Sequence, residues 1–225
     1  MALQLNITGF AAGPYQTNCY VVSAGAANAG ANTLPKATVI DPGMHALGRV
    51  EQLLEEQGVE LGQVLLTHGH IDHTRDAAAL ANKWRVPLWI HEEDAFMLAG
   101  GDGISEQAKV LFDAQELPQA QDLRLLNHGQ EVAIAGHTFT VAHAPGHSPG
   151  SVLFVGQEVV FSGDVLFAGS IGRTDLPHSN PAAMHSSLVN VVLPLNDALQ
   201  VLPGHGGATS IRAERRSNPF LNGFC

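Results

Sequence analysis

Three histidines and an aspartate fall within the six residues His68-Gly69-His70-Ile71-Asp72-His73, just after the apolar run Val64-Leu65-Leu66 and Thr67. A continuous apolar run of this kind reads as a buried strand. A loop leaving a strand end can aim several imidazoles and a carboxylate at one point. Imidazole nitrogen and carboxylate oxygen are the usual ligands of zinc and of other borderline first-row metals. A solvated His-rich turn would need no partners elsewhere, and this chain supplies three. His147 lies in Ala144-Pro145-Gly146-His147-Ser148-Pro149-Gly150, Asp164 in Phe161-Ser162-Gly163-Asp164-Val165, and His205 in Leu202-Pro203-Gly204-His205-Gly206. Each follows an apolar run and sits among glycine or proline, which is the chemistry of a tight loop after a strand.

The candidate ligands are therefore His68, His70, Asp72, His73, His147, Asp164 and His205. They are too many for one tetrahedral zinc. They suit two metals about 3.5–4 Å apart that share a carboxylate and a water. Asp72 and His73 are adjacent and can reach an ion that His68 and His70 cannot. Asp164, alone on its own loop, is a natural bridge, although an Asx turn or a cap would use the same residue type.

This order of residues, His-x-His-x-Asp-His followed by separate His, Asp and His positions, resembles the metallo-β-lactamase-fold superfamily. The resemblance runs from Asn18-Cys19-Tyr20 to Pro219-Phe220-Leu221. Within it, Gly163-Asp164-Val165-Leu166-Phe167 and Gly172-Arg173-Thr174-Asp175 are similar to the short bacterial branch of the glyoxalase II-like hydrolases. The resemblance implies an α/β fold, an αββα sandwich. It implies that His68, His70 and His147 hold one metal, that Asp72, His73 and His205 hold a second, and that Asp164 bridges them. Two divalent ions are expected, zinc first, with iron or manganese as alternatives. The implied reaction is hydrolysis of S-lactoylglutathione or a similar hydroxyacylglutathione thioester by a metal-bridging hydroxide held by Asp164 and oriented by Asp72. A metal lowers the pKa of bound water from ~15.7 to ~7. A thiolate leaving group, whose parent thiol has a pKa of about 8.5, needs little protonation.

One departure bears on the substrate. Larger glyoxalase II enzymes carry a C-terminal helical extension whose Lys, Arg and Tyr residues hold glutathione. Here little chain follows His205, Lys109 is the only lysine after Lys83, and Tyr15 and Tyr20 are the only tyrosines. The carboxylates of glutathione would have to use Arg173, Arg212, Arg215, Arg216 or backbone amides, so a weak grip on the thiol carrier is expected. The rival activity is a persulfide dioxygenase, a related family with a similar Gly-Arg-Thr-Asp stretch. It would use one iron held by His68, His147 and Asp164. Lactonase and β-lactamase activities rank lower.

Composition narrows the field. Charged residues are 14% of the 225 and hydrophobic residues 45%, against a usual charged share of ~25%. That balance fits sheets buried on both faces. The formal net charge of -10 argues against a nucleic-acid partner, which needs a basic face. No apolar segment approaches the ~20 residues of a membrane span, and the N-terminus lacks the basic and apolar regions of a signal peptide. With only Cys19 and Cys225 there is no disulfide framework, and a cytoplasmic location is expected. The oligomeric state is left open.

The elements that must position the ligands read as follows. Strands are expected at Leu3 to Ile7, Cys19 to Ser23, Thr38 to Ile40, Val64 to Leu66, Pro87 to Ile90, Glu131 to Ala142, Val152 to Val155, Val159 to Ser162 and Leu199 to Leu202. Helices are expected at Ala46 to Gln57, Asp76 to Trp84, Pro181 to Val192 and Ile211 to Arg216. Ala24 to Lys36 reads as a long loop, and Glu92 to Gly129 as a mixed stretch, with helical pieces around Asp94 to Leu98 and Ser105 to Phe112, that covers the mouth of the site. Turns are expected at Gly136 and Gly156. No linker divides residues 1–225, so one domain is expected. Asp41 is a candidate for orienting a ligand histidine, or a plain turn residue. Thr67 is expected to support the metal loop. Arg173 and Asp175 read as a buried structural pair in preference to a pocket wall. Of the remaining histidines, His143 and His178 lie near motifs.

Overall fold

The structure, a computed structural model, describes residues 5–24, 34–99 and 104–222. Two six-stranded sheets face each other. In the first, β1 (Leu5–Ala12), β2 (Thr17–Ala24), β3 (Lys36–Ile40), β4 (Glu60–Leu65), β5 (Leu88–His91) and β6 (Leu123–Leu126) lie in sequence order. The β1–β2 and β2–β3 pairs are antiparallel, and the pairs from β3 to β6 are parallel. In the second, β7 (Glu131–Ile134), β8 (His137–His143), β9 (Val152–Val155), β10 (Val159–Gly163), β11 (Gln200–Pro203) and β12 (Thr209–Ser210) also follow chain order. Only β10–β11 is parallel there.

Alternation along the strands explains the layering. A strand sends successive side chains to opposite faces. In β2, Cys19 and Val21 join an outer core with α1 (Ala46–Gln57), while Tyr20 and Val22 point to the other sheet. In β4, Val64 faces outward and Leu65 inward. The second sheet repeats the pattern. Val152 and Phe154 of β9 fill the space between the sheets, and Leu153 faces the outer helices. Three cores result. One lies under α1 and α3 (Ala77–Trp84), one lies between the sheets, and one lies under α5 (Pro181–Ser187) and α6 (Ile211–Ser217). This is an αββα sandwich. Both faces of each sheet are covered, which is why charged residues are scarce.

Several expected boundaries shift. The expected strand from Leu3 to Ile7 continues to Ala12, because β1 pairs with β2 along eight residues from Leu5↔Ala24 to Ala12↔Thr17. Its first two residues, and residues 25–33 of the expected loop, lie outside the described residues. The Glu131 to Ala142 segment is two strands, β7 and β8, folded at the turn expected at Gly136, where Ala135 and Gly136 both have positive φ. The helical piece from Asp94 is a 3₁₀ segment, Glu92–Ala99, and that from Ser105 is α4 (Glu106–Leu111), capped by the Ser105 hydroxyl accepting from Ala108 N. The mixed stretch also contains β6, which no local pattern announced. β6 forms because the parallel edge of β5 offers unpaired backbone groups, and Arg124 lies over the Trp89 ring. The Pro181 to Val192 helix continues past Ser187 only as a π turn, Leu188–Val192. No helix of the described residues is long and apolar enough to cross a membrane.

Candidate metal centre

Four strand ends deliver the ligands. β4 leads into the His68-Gly69-His70 loop, and the one-turn helix α2 (Ile71–Thr74) then carries Asp72 and His73. β8 leads to the loop with His147, β10 to Asp164 and β11 to His205. Sheet pairing and packing bring together ends up to 137 positions apart in sequence, from residue 68 to residue 205.

The seven side chains converge. His70 Nδ1 is 2.8 Å from His147 Nε2, and His73 Nε2 is 3.4 Å from His205 Nε2. Ligand atoms of His68, His70 and His147 lie within 4.8 Å of one another, as do those of Asp72, His73 and His205. Asp164 stands between the groups. Its Oδ2 is 3.3 Å from His147 Nε2 and 3.5 Å from His205 Nε2, and its Oδ1 is 3.3 Å from His73 Nε2. Asp72 Oδ2 is 3.2 Å from His205 Nε2.

Hydrogen bonds on the far side of each ring set which nitrogen is free. His147 Nδ1 lies 2.9 Å from the Arg173 carbonyl, and His205 Nδ1 lies 3.1 Å from the Tyr15 carbonyl. Only a ring N–H can satisfy a carbonyl, so in the neutral imidazole each Nε2 keeps its lone pair for the centre. His73 Nδ1 donates to Asp41 Oδ2 at 3.0 Å. Thr67 Oγ1 donates to Asp41 Oδ2 at 2.6 Å and so accepts from His68 Nδ1 at 3.1 Å. His70 is the exception and turns Nδ1 inward.

Two buried atoms, His68 Nε2 and Asp164 Oδ1, have no hydrogen-bond partner among the described residues. Leaving such atoms unsatisfied costs about 1–3 kcal/mol each. A divalent cation satisfies both, so the donor set fits a metal pair. Burial pushes His68 well below the usual imidazole range and His70 down to about 3, which keeps both neutral as ligands must be. For His73 burial opposes the charge, but Asp164, Asp72 and Asp41 outweigh it and raise the group well above its ordinary value. His205, despite burial, is lifted to about 9 by Asp164 and Asp72. Burial likewise opposes ionisation of Asp164, and His73 and His205 hold it well below the usual carboxylate range.

Supporting residues explain the precision. Asp41 combines both readings of its sequence: it sits at positive φ in a turn, and it orients Thr67 and His73. Asp94 is fully buried and accepts from Gly69 N, Ser148 Oγ and Gly150 N, which ties the His68–His70 loop to the His147 loop. Burial raises its pKa, and those three bonds only partly offset the effect. Sequence reading missed it, because Glu92-Glu93-Asp94 looks like an acidic first helical turn. Thr17 Oγ1 donates to Asp72 Oδ2 at 2.9 Å. Asn18 Nδ2 and Tyr20 OH both reach the Pro203 carbonyl, fixing the His205 loop. Gly204 is required there, since a Cβ would overlap Asp164 Oδ1 and the His73 ring. His143 Nε2 braces the Pro149 carbonyl at 2.8 Å, while its ring stacks on His91. His178 has positive φ and packs edge-on against Phe96.

A cavity of about 560 Å³ opens over His70, Asp72, His147, Asp164 and His205. Met97, Ile104 and Phe112 help to line it, so the first part of the mixed stretch does cover the mouth. Arg173 lines the cavity too, but its pair with Asp175, at 2.7 Å, is exposed and not buried as expected. Arg212 and Arg215 do not line it. The helix α6 packs Ile211 into the core under the second sheet, Arg212 is exposed, and Arg215 is held by Asp197 and the Leu193 and Leu195 carbonyls. The terminal helix is thus a structural brace on the side of the sheet away from the cavity lining.

An αββα sandwich that gathers five histidines and two aspartates at its strand ends defines a metallo-hydrolase architecture. The family model described as the metallo-beta-lactamase superfamily matches residues 12–205, and the chain belongs to that superfamily. A hydroxyacylglutathione hydrolase, GloC of Haemophilus influenzae, is 40% identical over 83% of this chain and 87% of its own length, which places the chain with the glyoxalase II-like branch. Among solved structures, the BLEG-1 B3 metallo-beta-lactamase is similar at TM-score 0.80 and 33% identity, covering 96% of this chain and 99% of that one. TTHA1623 in a di-iron-bound form is similar at TM-score 0.77 and 34% identity, covering 95% and 100%.

Proposed function

We propose that this chain is a dinuclear metal-dependent hydrolase of small-molecule thioesters of the S-lactoylglutathione type, acting in the cytoplasm. The observation that carries the reading is the pair of ligand triads joined by Asp164. In this reading His68, His70 and His147 hold one ion, Asp72, His73 and His205 the other, and Asp164 both. Zinc is the first choice of metal, and the di-iron form of a similar protein keeps iron open. When bound, such a pair supplies ionised water near neutral pH and polarises a carbonyl. The residues of the chain do the rest. Asp72, fixed by Thr17, would orient the attacking water, and Asp164, between the two triads, would help to hold it in place. Met97, Ile104 and Phe112 limit water over the site. A thiolate leaves without a dedicated general acid, since its parent thiol has a pKa of about 8.5.

Covalent catalysis is disfavoured. Cys19 is 0% exposed in the outer core, and burial pushes its thiol well up. The test combines elemental analysis, a thioester assay and oxygen uptake with glutathione persulfide. Two ions per chain and thioester turnover are expected, with Asp164→Ala losing at least one ion and most activity. A stable maximum of one iron, with oxygen-dependent persulfide consumption and no thioester turnover, hands the case to the dioxygenase.

A further inference from the structure

The walls of the cavity over the metal centre say what the substrate carries on either side of its thioester. On one side stand Ile71 of α2, Met97 of the 3₁₀ segment, and Ile104, Ala108 and Phe112 around α4. On the other stand Tyr15, Phe167, Leu176 and Pro177. Away from the metal-facing floor three side chains of these walls are polar, Tyr15, Ser105 and Arg173, and the Tyr15 phenol is uncharged. Ser105 and Arg173 are already engaged. The Ser105 hydroxyl accepts from Ala108 N as the cap of α4, and the Arg173 guanidinium forms a two-pronged pair with Asp175 at 2.7 and 2.8 Å. Lys109, the nearest lysine in sequence, is paired with Glu106. Among the described residues, the lining therefore offers no free cation to the two carboxylates of a glutathione carrier.

An apolar surface of this kind gains free energy by covering hydrocarbon and gains nothing from a hydrated carboxylate. We propose that the cavity selects thioesters whose body is uncharged and apolar, an aromatic or branched hydrocarbon beside the scissile carbonyl, and that a glutathione carrier adds no binding of its own. The proposal rests on the hydrolase reading and shifts its preferred substrate from the polar lactoyl ester of glutathione to thioesters with a hydrocarbon acyl group. It makes the α4 wall, Ile104, Ala108 and Phe112, the specificity-determining surface. Tyr15 and Phe112 meet edge to face with ring centroids 5.1 Å apart, which gives an aromatic group a preformed partner on the wall.

The test uses zinc-loaded protein and four inert thioethers: S-methyl and S-benzyl derivatives of glutathione and of N-acetylcysteamine, a neutral thiol. Their affinities are read by calorimetry. In parallel, kcat/KM is read for acetyl and phenylacetyl thioesters of both thiols. Benzyl for methyl should tighten binding at least tenfold on both carriers, the range a hydrophobic pocket yields per small apolar group. Exchanging glutathione for N-acetylcysteamine should change affinity by less than about threefold. Ala108→Asp, on the largely exposed α4, should reduce the benzyl advantage to less than about threefold. A tenfold preference for glutathione, or no benzyl advantage in the unsubstituted protein, overturns the proposal. Thioester turnover without a benzyl advantage sinks it alone. A benzyl advantage in binding without turnover of any thioester leaves this selectivity standing and removes the hydrolase reading.

Discussion

Asp41 shows how much of the site depends on a residue that faces no substrate. One carboxylate accepts from Thr67 N, Thr67 Oγ1 and His73 Nδ1, and through Thr67 it also sets the tautomer of His68. Asp41→Asn replaces one acceptor oxygen by a donor and blurs both ring orientations. Zinc affinity should fall about 10–100-fold, the usual effect of losing a partner behind a ligand, with little change in circular dichroism. An unchanged zinc Kd would show that the loop holds its histidines unaided. Protons provide a second handle. In the metal-free protein His205 is raised to about 9 by Asp164 and Asp72, so it carries a proton at pH 7, and His73 is raised as well. The folded pKa of His205 exceeds the ~6.5 of free imidazole. Its pairing therefore stabilises the metal-free protein fully below about pH 6.5 and ceases to do so as pH rises through about 9. Ligation requires the proton to leave. Proton release on zinc binding, measured in buffers of different ionisation enthalpy, should drop by about one per chain between pH 7 and pH 10. A release that stays flat across that range contradicts the assignment of His205.

At the level of elements, the centre works because loops from different strands are tied to one another. Asp94 makes the tightest tie. Its two oxygens receive Gly69 N, Gly150 N and Ser148 Oγ in a fully buried spot. Asp94→Ala leaves two backbone N–H groups without acceptors and separates the His70 and His147 loops. A loss of about 3–5 kcal/mol is expected, as for breaking a buried charged network, together with weaker metal retention. Denaturant titration and dialysis against a chelator measure the two effects separately. Retention of full stability would mean that water replaces the carboxylate. The His205 loop has its own clamp in Asn18 and Tyr20 of β2, so the first sheet positions a ligand that the second sheet carries.

For the whole molecule, the contact between sheets is the foundation. Phe139, Phe154 and Phe161 are 1% exposed or less and meet Tyr20, Val22, Ile40 and Leu65 from the opposite sheet. Phe154→Ala should cost about 3–5 kcal/mol. For a chain of this size each kcal/mol moves Tm by roughly 2–4 °C, so a drop of roughly 6–20 °C is expected by calorimetry. Metal removal acts on the same scale, because ligands from both sheets converge on the centre. Chelation should lower Tm, and adding zinc back should restore it in a concentration-dependent way. A Tm indifferent to chelation would mean that the two sheets need no metal to hold their loops.

Local chemistry in the sequence was enough to mark all seven ligand candidates, because His68, His70, His147, Asp164 and His205 sit beside glycine just after apolar runs, and Asp72 and His73 follow His70 within three residues. It also marked most strands, since burial on both faces leaves continuous apolar stretches such as Val64-Leu65-Leu66 and Val159-Val160-Phe161. It did not announce β6, whose exposed Leu123 and Leu125 make sense only against the edge of β5. It did not reveal Asp94, whose three partners lie 25 to 56 positions away. It suggested Arg215 for the pocket, where the fold commits that side chain to Asp197 and the Leu193 and Leu195 carbonyls. Residue type and short-range spacing specify what a side chain can do. Which groups meet, which imidazole nitrogen is free and which walls enclose the substrate depend on contacts between distant strands, and those exist only once the two sheets have packed.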